Sequence, residues 1–161
     1  MHIRRDAPLD AAGLRIGIAV SRYHHDITEA LWKGAVDTFT GAGGSRADLD
    51  VVAAPGSFEL TIVAQALAAR EDLDGVVALG CIIRGETSHD RHLAGAIAGG
   101  LTRVALDARK PVAFGVLTCQ SLHQARARAG GEHGNKGVEA MTAAIEAIRT
   151  LRALGAGAPA P

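Results

Sequence analysis

Short, nearly continuous apolar runs alternate along the chain with longer stretches in which apolar residues recur at helical spacing. Apolar runs of this length favour strands buried on both faces, and the intervening helical stretches favour crossover connections between parallel strands. The pattern therefore predicts an α/β fold with a four-stranded parallel sheet. The strands are predicted over residues 15–20, 49–53, 75–82 and 112–117.

Helices are predicted from the apolar period together with residues suited to capping. Asp26, followed three residues later by Glu29, has the form of a capping box and is predicted to open the first helix, which ends in the glycine-rich stretch 41–44. Ser57 is the predicted cap of the second helix. Three further helices are expected over 87–107, 122–129 and 136–154.

The chain is expected to form a single domain over residues 13–154. At 161 residues, 48% of them hydrophobic, it is large enough to bury its own core. Residues 1–12 are too polar for that core, so they form either an arm that pairs with a neighbouring subunit or loose chain. Residues 155–161 are predicted to be a disordered tail.

Charge and aromatic content argue against nucleic acid and membrane partners. Lysine plus arginine equals aspartate plus glutamate at 17 each, so no overall field attracts an anionic polymer or membrane surface. One tryptophan, one tyrosine and three phenylalanines are too few for a stacking surface for single-stranded nucleic acid. The first ten residues lack the apolar run of a signal peptide or membrane anchor, so we expect a cytoplasmic protein.

Neither a disulfide nor a metal site is expected. The two cysteines, Cys81 and Cys119, lie in apolar runs without the spacing of metal ligands, which indicates reduced thiols. The pairs His24-His25 and His89/His92 have no accompanying HExxH motif or Cys/His quartet. No GxGxxG follows a predicted strand, so a dinucleotide site is not expected either.

The segment RGETSH at 84–89 joins the third predicted strand to a helix and is the strongest candidate for chemistry. A helix N-terminus offers free N–H groups and partial positive charge to an anion, so phosphate is its natural occupant. The same field disfavours a cationic His89, which leaves the neutral imidazole available as a base. The alternative is an ordinary turn, capped by Thr87 or Ser88, beside a surface histidine.

Other polar segments follow the remaining predicted strands, at the edge where a doubly wound sheet opens a crevice. The segment PGSFE at 55–59 carries Glu59 and several N–H groups that could form hydrogen bonds with the edge of a heterocycle. The alternative is that the segment is only the start of a helix. Tyr23 could stack on a planar ligand or pack against protein. The cations and glycines of 126–137 do not match a Walker phosphate loop and favour a charged, flexible connection.

Four sequence blocks together are more specific than any one of them. They are PGSFE at 55–59, GCIIRGETSH at 80–89, FGVLT at 114–118, and RAG at 128–130 followed by GNKG at 134–137. In this order and spacing they resemble the 6,7-dimethyl-8-ribityllumazine synthase family over roughly residues 13–154. The resemblance implies a flavodoxin-like three-layer α/β/α sandwich that needs neither metal nor organic cofactor.

The resemblance also implies a reaction and a site. The reaction is the penultimate step of riboflavin biosynthesis, in which 5-amino-6-ribitylaminouracil condenses with 3,4-dihydroxy-2-butanone 4-phosphate and releases phosphate and water. Matching positions in this sequence receive the following roles: Tyr23 stacks on the pyrimidine; Ser57, Phe58 and Glu59 bind the ribityl chain; Ile82 and Ile83 frame the ring; the Glu86 and Thr87 amides with Arg128 hold phosphate; His89 moves protons; Phe114 and Lys136 close the site from an adjacent subunit.

The family's active sites lie between the subunits of a pentamer, and pentamers pack into hollow shells of sixty subunits in many members. A short 130–137 connection without insertion accompanies such closed shells, so we expect one here, with riboflavin synthase as a candidate partner. The sequence departs from the family pattern at three positions: His24 replaces asparagine, Thr61 replaces proline, and Asp90 lies in a usually aromatic stretch. A negative charge at Asp90 would favour the protonated form of His89 or alter the affinity for substrate.

These departures keep an alternative open, namely a shell-forming or ligand-binding paralogue with weak catalysis. A more distant alternative is an unrelated phosphosugar isomerase.

Overall fold

The four predicted strands form one parallel sheet in the computed structural model, which describes residues 8–155. The strands are β1 (Ile16–Ser21), β2 (Leu49–Ala54), β3 (Gly75–Ile83) and β4 (Val112–Cys119). They lie in the order β2-β1-β3-β4, and every neighbouring pair is parallel. Each strand begins and ends within two residues of its prediction, so the four-stranded parallel sheet is confirmed.

Five helices cover both faces of this sheet. They are α1 (His25–Gly41), α2 (Leu60–Ala68), α3 (His89–Ala108), α4 (Leu122–Ala127) and α5 (Lys136–Ala153). Helices α1, α4 and α5 share a core with one face, and α2 and α3 share a core with the other. The result is the predicted three-layer sandwich, with the strand arrangement of doubly wound sheets. No helix within residues 8–155 is long and apolar enough to cross a membrane.

Strand β3 lies in the interior of the sheet, and this position explains why its residues form an unbroken apolar run. Successive side chains of a strand point to opposite faces. Val77 and Leu79 accordingly join the core formed with α1 and α5, whereas Val76 and Ala78 join the core formed with α2 and α3. Both faces are covered, so no polar position is tolerated until the strand ends at the site described below.

Both predicted helix caps are wrong, and both errors occur where a strand meets a helix. Asp26 lies inside α1, whose N-cap is His24 with φ 55°. Glu59 occupies the N-cap of α2, and the Ser57 hydroxyl instead donates to the carbonyl oxygen of Cys81 at 3.4 Å. The Cys81 carbonyl of β3, on the far side of β1 from β2, competes successfully for the hydroxyl that the sequence pattern assigns to capping.

The connection 126–137 is ordered, contrary to the predicted flexible link. After α4 it forms an antiparallel hairpin of β5 (Ala129–Gly131) and β6 (Gly134–Asn135). The Asn135 amide donates to the carbonyl of Ala30 in α1 at 2.9 Å, and its Oδ1 accepts from the Gly137 N–H at 2.8 Å. One side chain therefore caps α5 and holds the hairpin against α1.

The part of the N-terminal segment that the structure describes lies against its own domain. Ala11 is fully buried, and the Arg149 guanidinium in α5 donates to the carbonyl of Asp10 at 2.9 Å. Residues 1–7, which carry most of the predicted arm, lie outside the described residues. So do 156–161, most of the predicted disordered tail.

We expect Arg109→Gly to stabilise the fold. Arg109 is an exposed residue at the C-cap of α3 with φ 52° and ψ 36°, a left-handed conformation that side chains disfavour. The substitution should raise the free energy of unfolding by about 0.5–1 kcal/mol. Urea denaturation measures the change. Ala96→Gly, on the exposed face of the same helix, should instead cost about 1 kcal/mol, and destabilisation by both variants would contradict the argument.

Candidate active site

A cleft of about 420 Å³ opens at the carboxyl edge of the sheet. The adjacent strands β1 and β3 send the chain to opposite faces there, β1 into α1 and β3 into α3. Divergence of neighbouring connections leaves a crevice where doubly wound proteins bind ligands. The cleft is lined by Tyr23, His24, Gly56, Ser57, Phe58, Glu59, Cys81, Ile82, Ile83, Gly85, Thr87, His89, Asp90 and Leu93.

The cleft brings together most of the residues predicted for the site, although they come from three separate strand ends. The predicted residues that line it are Tyr23, Ser57, Phe58, Glu59, Ile82, Ile83, Thr87 and His89. Glu86 is exposed beside the cleft without lining it. Phe114, Arg128 and Lys136 lie elsewhere on this chain.

The turn at 55–59 packs closely against β3 at Gly80. A Cβ atom added at Gly80 would lie 2.8 Å from the Ser57 hydroxyl oxygen, so glycine permits the approach that lets Ser57 bond to Cys81. Ser57 is buried, whereas the Phe58 ring is 57% exposed and Glu59 is half-buried. Phe58 and Glu59 are therefore the side chains of this turn that are free to contact a ligand.

The turn at 84–89 is anchored at its first residue and open afterwards. The Arg84 N–H donates to the carbonyl of Cys119 at 2.8 Å, continuing the pairing of β3 with β4. Residues Gly85 and Thr87 then line the cleft, and the His89 N–H donates to the Thr87 hydroxyl at 3.4 Å. The exposed turn thus presents backbone and hydroxyl donors to the cleft just before α3 begins.

Four side chains that line the cleft, those of His24, Cys81, Asp90 and Leu93, are not among the predicted contacts. Leu93 follows His89 by four residues, so the two share a helix face, and that spacing was a usable signal. The sequence singles out His24 as part of a histidine pair and as a departure from the family pattern, and Asp90 as a departure alone, without placing either in the cleft. Their position depends on how β1 and β3 end, which residue spacing does not reveal.

The thiol in the cleft is not a nucleophile. Burial raises the pKa of Cys81 to about 12, and the neighbouring Cys119 adds to the rise. Burial likewise raises the pKa of Cys119. A protonated thiol attacks poorly. The groups of the cleft left for proton transfer are the imidazoles of His24 and His89, the carboxylates of Glu59 and Asp90, and the Tyr23 hydroxyl. Within residues 8–155, no cluster of three potential metal ligands forms.

The two predicted cations flank the hairpin, Arg128 before it and Lys136 after it, and neither lines the cleft. Arg128 is the C-cap of α4, where its guanidinium donates to the carbonyl of Gln124 at 3.4 Å. The Lys136 N–H donates to the carbonyl of Arg128 at 2.9 Å, and its ammonium group pairs with Glu139. Within one chain, the predicted phosphate site is therefore without its arginine.

Phe114 lines a different groove, between β4 and α3. Its ring is 43% exposed, and Leu106 in the same groove is 70% exposed. Large apolar side chains left this open are typical of surfaces that meet another protein.

A doubly wound α/β domain with acid-base groups in a cleft at the switch point of its sheet defines a class of enzymes that act on small ligands. Comparison with known proteins identifies the family within this class. Residues 13–152 match the family model described as 6,7-dimethyl-8-ribityllumazine synthase. The chain belongs to this family, so the resemblance predicted from the sequence blocks is confirmed.

Relatives from several bacteria support the same assignment, and each is named 6,7-dimethyl-8-ribityllumazine synthase. The protein of Thermus thermophilus is 48% identical, over 91% of this chain and 93% of its own length. That of Aquifex aeolicus is 43% identical, over 92% and 97% respectively. That of Nitratidesulfovibrio vulgaris is 42% identical, over 96% and 99%.

Proposed function

We propose that this chain is a transferase that condenses 5-amino-6-ribitylaminouracil with 3,4-dihydroxy-2-butanone 4-phosphate. The product is 6,7-dimethyl-8-ribityllumazine, with release of phosphate and water, in the penultimate step of riboflavin biosynthesis. The observation that carries the proposal is the cleft itself: in a chain of this family, one crevice gathers Tyr23, the 55–59 turn and the 84–89 turn.

The pyrimidine is proposed to bind between β1 and the 55–59 turn. Tyr23 is 66% exposed at the cleft, so its ring is available to stack on a planar heterocycle. Ile82 and Ile83 supply apolar contacts at the cleft floor, and Phe58 and Glu59 face the polyol chain. A half-buried carboxylate such as Glu59 accepts hydrogen bonds from ribityl hydroxyl groups.

The phosphate is proposed to bind at the start of α3. Ser88, the N-cap of this helix, makes no capping hydrogen bond through its side chain, so the turn remains open to an anion. The Glu86 and Thr87 amides and the Thr87 hydroxyl are the proposed donors. Arg128 of a neighbouring subunit supplies the positive charge that the cleft lacks and stabilises the departing phosphate.

His89 is proposed to carry the proton transfers. Schiff-base formation, phosphate elimination and ring closure each need a proton moved and two reactants held in place. Orientation of two reactants can remove about 7–11 kcal/mol of barrier, and one general base contributes about 10²–10⁴-fold. Neither contribution requires a metal or a covalent nucleophile.

We propose that neighbouring subunits complete the site in a pentamer, and that pentamers assemble into a closed shell of sixty subunits. The exposed Phe114 and Leu106 and the distant Arg128 and Lys136 support a composite site. The short 130–137 connection supports the shell. We further propose a cytoplasmic location and riboflavin synthase as a candidate partner.

Light scattering and negative-stain imaging test the assembly. Hollow particles of about sixty chains are expected. Fully active free pentamers would contradict the proposed shell but agree with the composite site. An active monomer would contradict both proposals.

The function is tested by mixing purified, assembled protein with both substrates and following lumazine absorbance. Turnover well above the spontaneous reaction is expected, and it should vanish when either substrate is omitted. A rate no higher than the spontaneous reaction would leave the paralogue with weak catalysis as the better explanation.

We expect Asp90→Asn to tighten binding of the phosphorylated substrate. The Asp90 carboxylate lines the cleft one turn after Thr87 and repels an anion held by the same helix start. Its neutralisation should lower the KM for the butanone phosphate by about two- to fivefold, the size of a partly screened charge interaction. Steady-state kinetics measure the change. Asp37→Asn, on the exposed side of α1, is the matched control, and equal KM values in the two variants would refute the repulsion.

A further inference from the structure

Among residues 8–155, only two residues other than glycine have positive φ angles, and they occupy opposite ends of helices. Arg109 ends α3, a position where left-handed backbone is common. His24 begins α1, where an N-cap residue normally has extended backbone. His24 is therefore held in a conformation that its place in the fold does not explain.

The imidazole of His24 also contributes nothing to capping. The side chain makes no hydrogen bond to the first N–H groups of α1. The carbonyl oxygen of His24 accepts from Ile27 at 2.9 Å and from Thr28 at 3.1 Å, which any residue at this position could do. The ring is consequently free to act in the cleft that it lines.

The ring of His24 contacts the ring of Tyr23 edge to face. The centroids are 4.7 Å apart and the planes are inclined by 76°. Tyr23 is otherwise largely exposed, with its backbone N–H donating to the Ser21 hydroxyl at 3.2 Å. An exposed tyrosine ring without a partner samples several rotamers, whereas an edge-to-face neighbour favours one of them.

We propose that His24 is a positioning residue, which holds the Tyr23 ring as a preformed wall for the planar heterocycle of the substrate. The proposal deepens the proposed function and rests on it. The left-handed backbone of His24 is strained, and α1 does not require that strain. Strained residues of this kind are characteristic of ligand sites, where the surrounding structure holds them in the geometry that the ligand needs. Because the Tyr23 ring is already held in one orientation, substrate binding costs less side-chain conformational entropy.

The test compares His24→Gly with Arg109→Gly. Both variants relieve the same left-handed strain, so both should be as stable as the parent or more so in urea denaturation. His24→Gly should raise the KM for the ribitylaminopyrimidine by about 2- to 12-fold, the effect of losing one aromatic pair, and leave the KM for the butanone phosphate within about twofold. Arg109→Gly should change neither KM.

Two further variants separate positioning from direct contact with substrate. If His24 acts through Tyr23, His24→Gly should have no added effect in a Tyr23→Ala background. His24→Phe keeps an aromatic edge without nitrogen atoms, so a folded variant should recover most of the pyrimidine affinity.

Equal KM values in wild type and His24→Gly would overturn this inference alone. So would additive effects of the two substitutions, or a folded His24→Phe without recovery. A wild-type chain with no turnover above the spontaneous rate would overturn the inference together with the proposed function.

Discussion

Replacing Gly137 by alanine is expected to lower the free energy of unfolding more than any other single change considered. A Cβ atom at this position would lie 1.9 Å from the carbonyl oxygen and 2.6 Å from the carbonyl carbon of Leu31. Both are backbone atoms in the middle of α1, so the clash cannot be relieved by a side-chain rotation. Either α5 moves away from α1 or the Asn135 bridge to Ala30 breaks, because both features converge at this crossing.

The expected cost is at least about 3 kcal/mol, the upper range for overpacking, which is a large part of the 5–15 kcal/mol that stabilises a typical domain. Urea denaturation followed by circular dichroism measures it. Gly34→Ala should cost less, since the added atom meets the Asn135 side chain, which can move. Gly41→Ala, at an exposed helical position with nothing within 4 Å, is the control and should be neutral or stabilising by up to about 1 kcal/mol. A Gly137→Ala variant as stable as Gly41→Ala would disprove the close crossing.

The sheet and the location of the cleft could be predicted from the sequence because both follow from local pattern. Apolar runs define the strands, and the carboxyl ends of parallel strands lie at one edge of a sheet, so the turns at 55–59 and 84–89 were expected at the same edge. The short distance from β3 to His89 fixed its place at the start of α3. That the turns at 55–59 and 84–89 share one cleft depends on the strand order β2-β1-β3-β4, which the apolar pattern does not specify.

Contacts between distant segments could not be predicted in the same way. Asn135 bonds to Ala30, a residue 105 positions away, and nothing in the 126–137 pattern distinguishes that bridge from a flexible loop. The left-handed backbone of His24 depends on where β1 stops and α1 turns away. Ser57 fails as a cap because a carbonyl of β3 lies within reach.

The remainder of the proposed site is not encoded within one folded chain. Phe114, Arg128 and Lys136 lie outside the cleft, and their proposed roles come from the family pattern together with an expected neighbouring subunit. Local periodicity describes how a chain buries its own apolar surface. It does not specify which exposed groups meet a second copy.

His89→Gln is expected to reduce kcat by about 10²–10⁴-fold, the contribution of one general acid-base group. The imidazole is exposed at the cleft, so glutamine should change neither the fold nor the cavity that binds the substrates. The KM values should therefore remain within about threefold of wild type. Steady-state rates, corrected for the spontaneous reaction, measure the change.

His92→Gln is the matched control, because His92 is an exposed histidine one turn further along α3 that does not line the cleft. It should retain full activity. If His89→Gln also kept a rate near wild type, proton transfer would have to be assigned to another group of the cleft, such as Glu59, Asp90 or His24, or to solvent. Orientation of the two substrates does not depend on this imidazole. The rate acceleration that remains in His89→Gln therefore measures how much the rest of the cleft contributes by holding the substrates together.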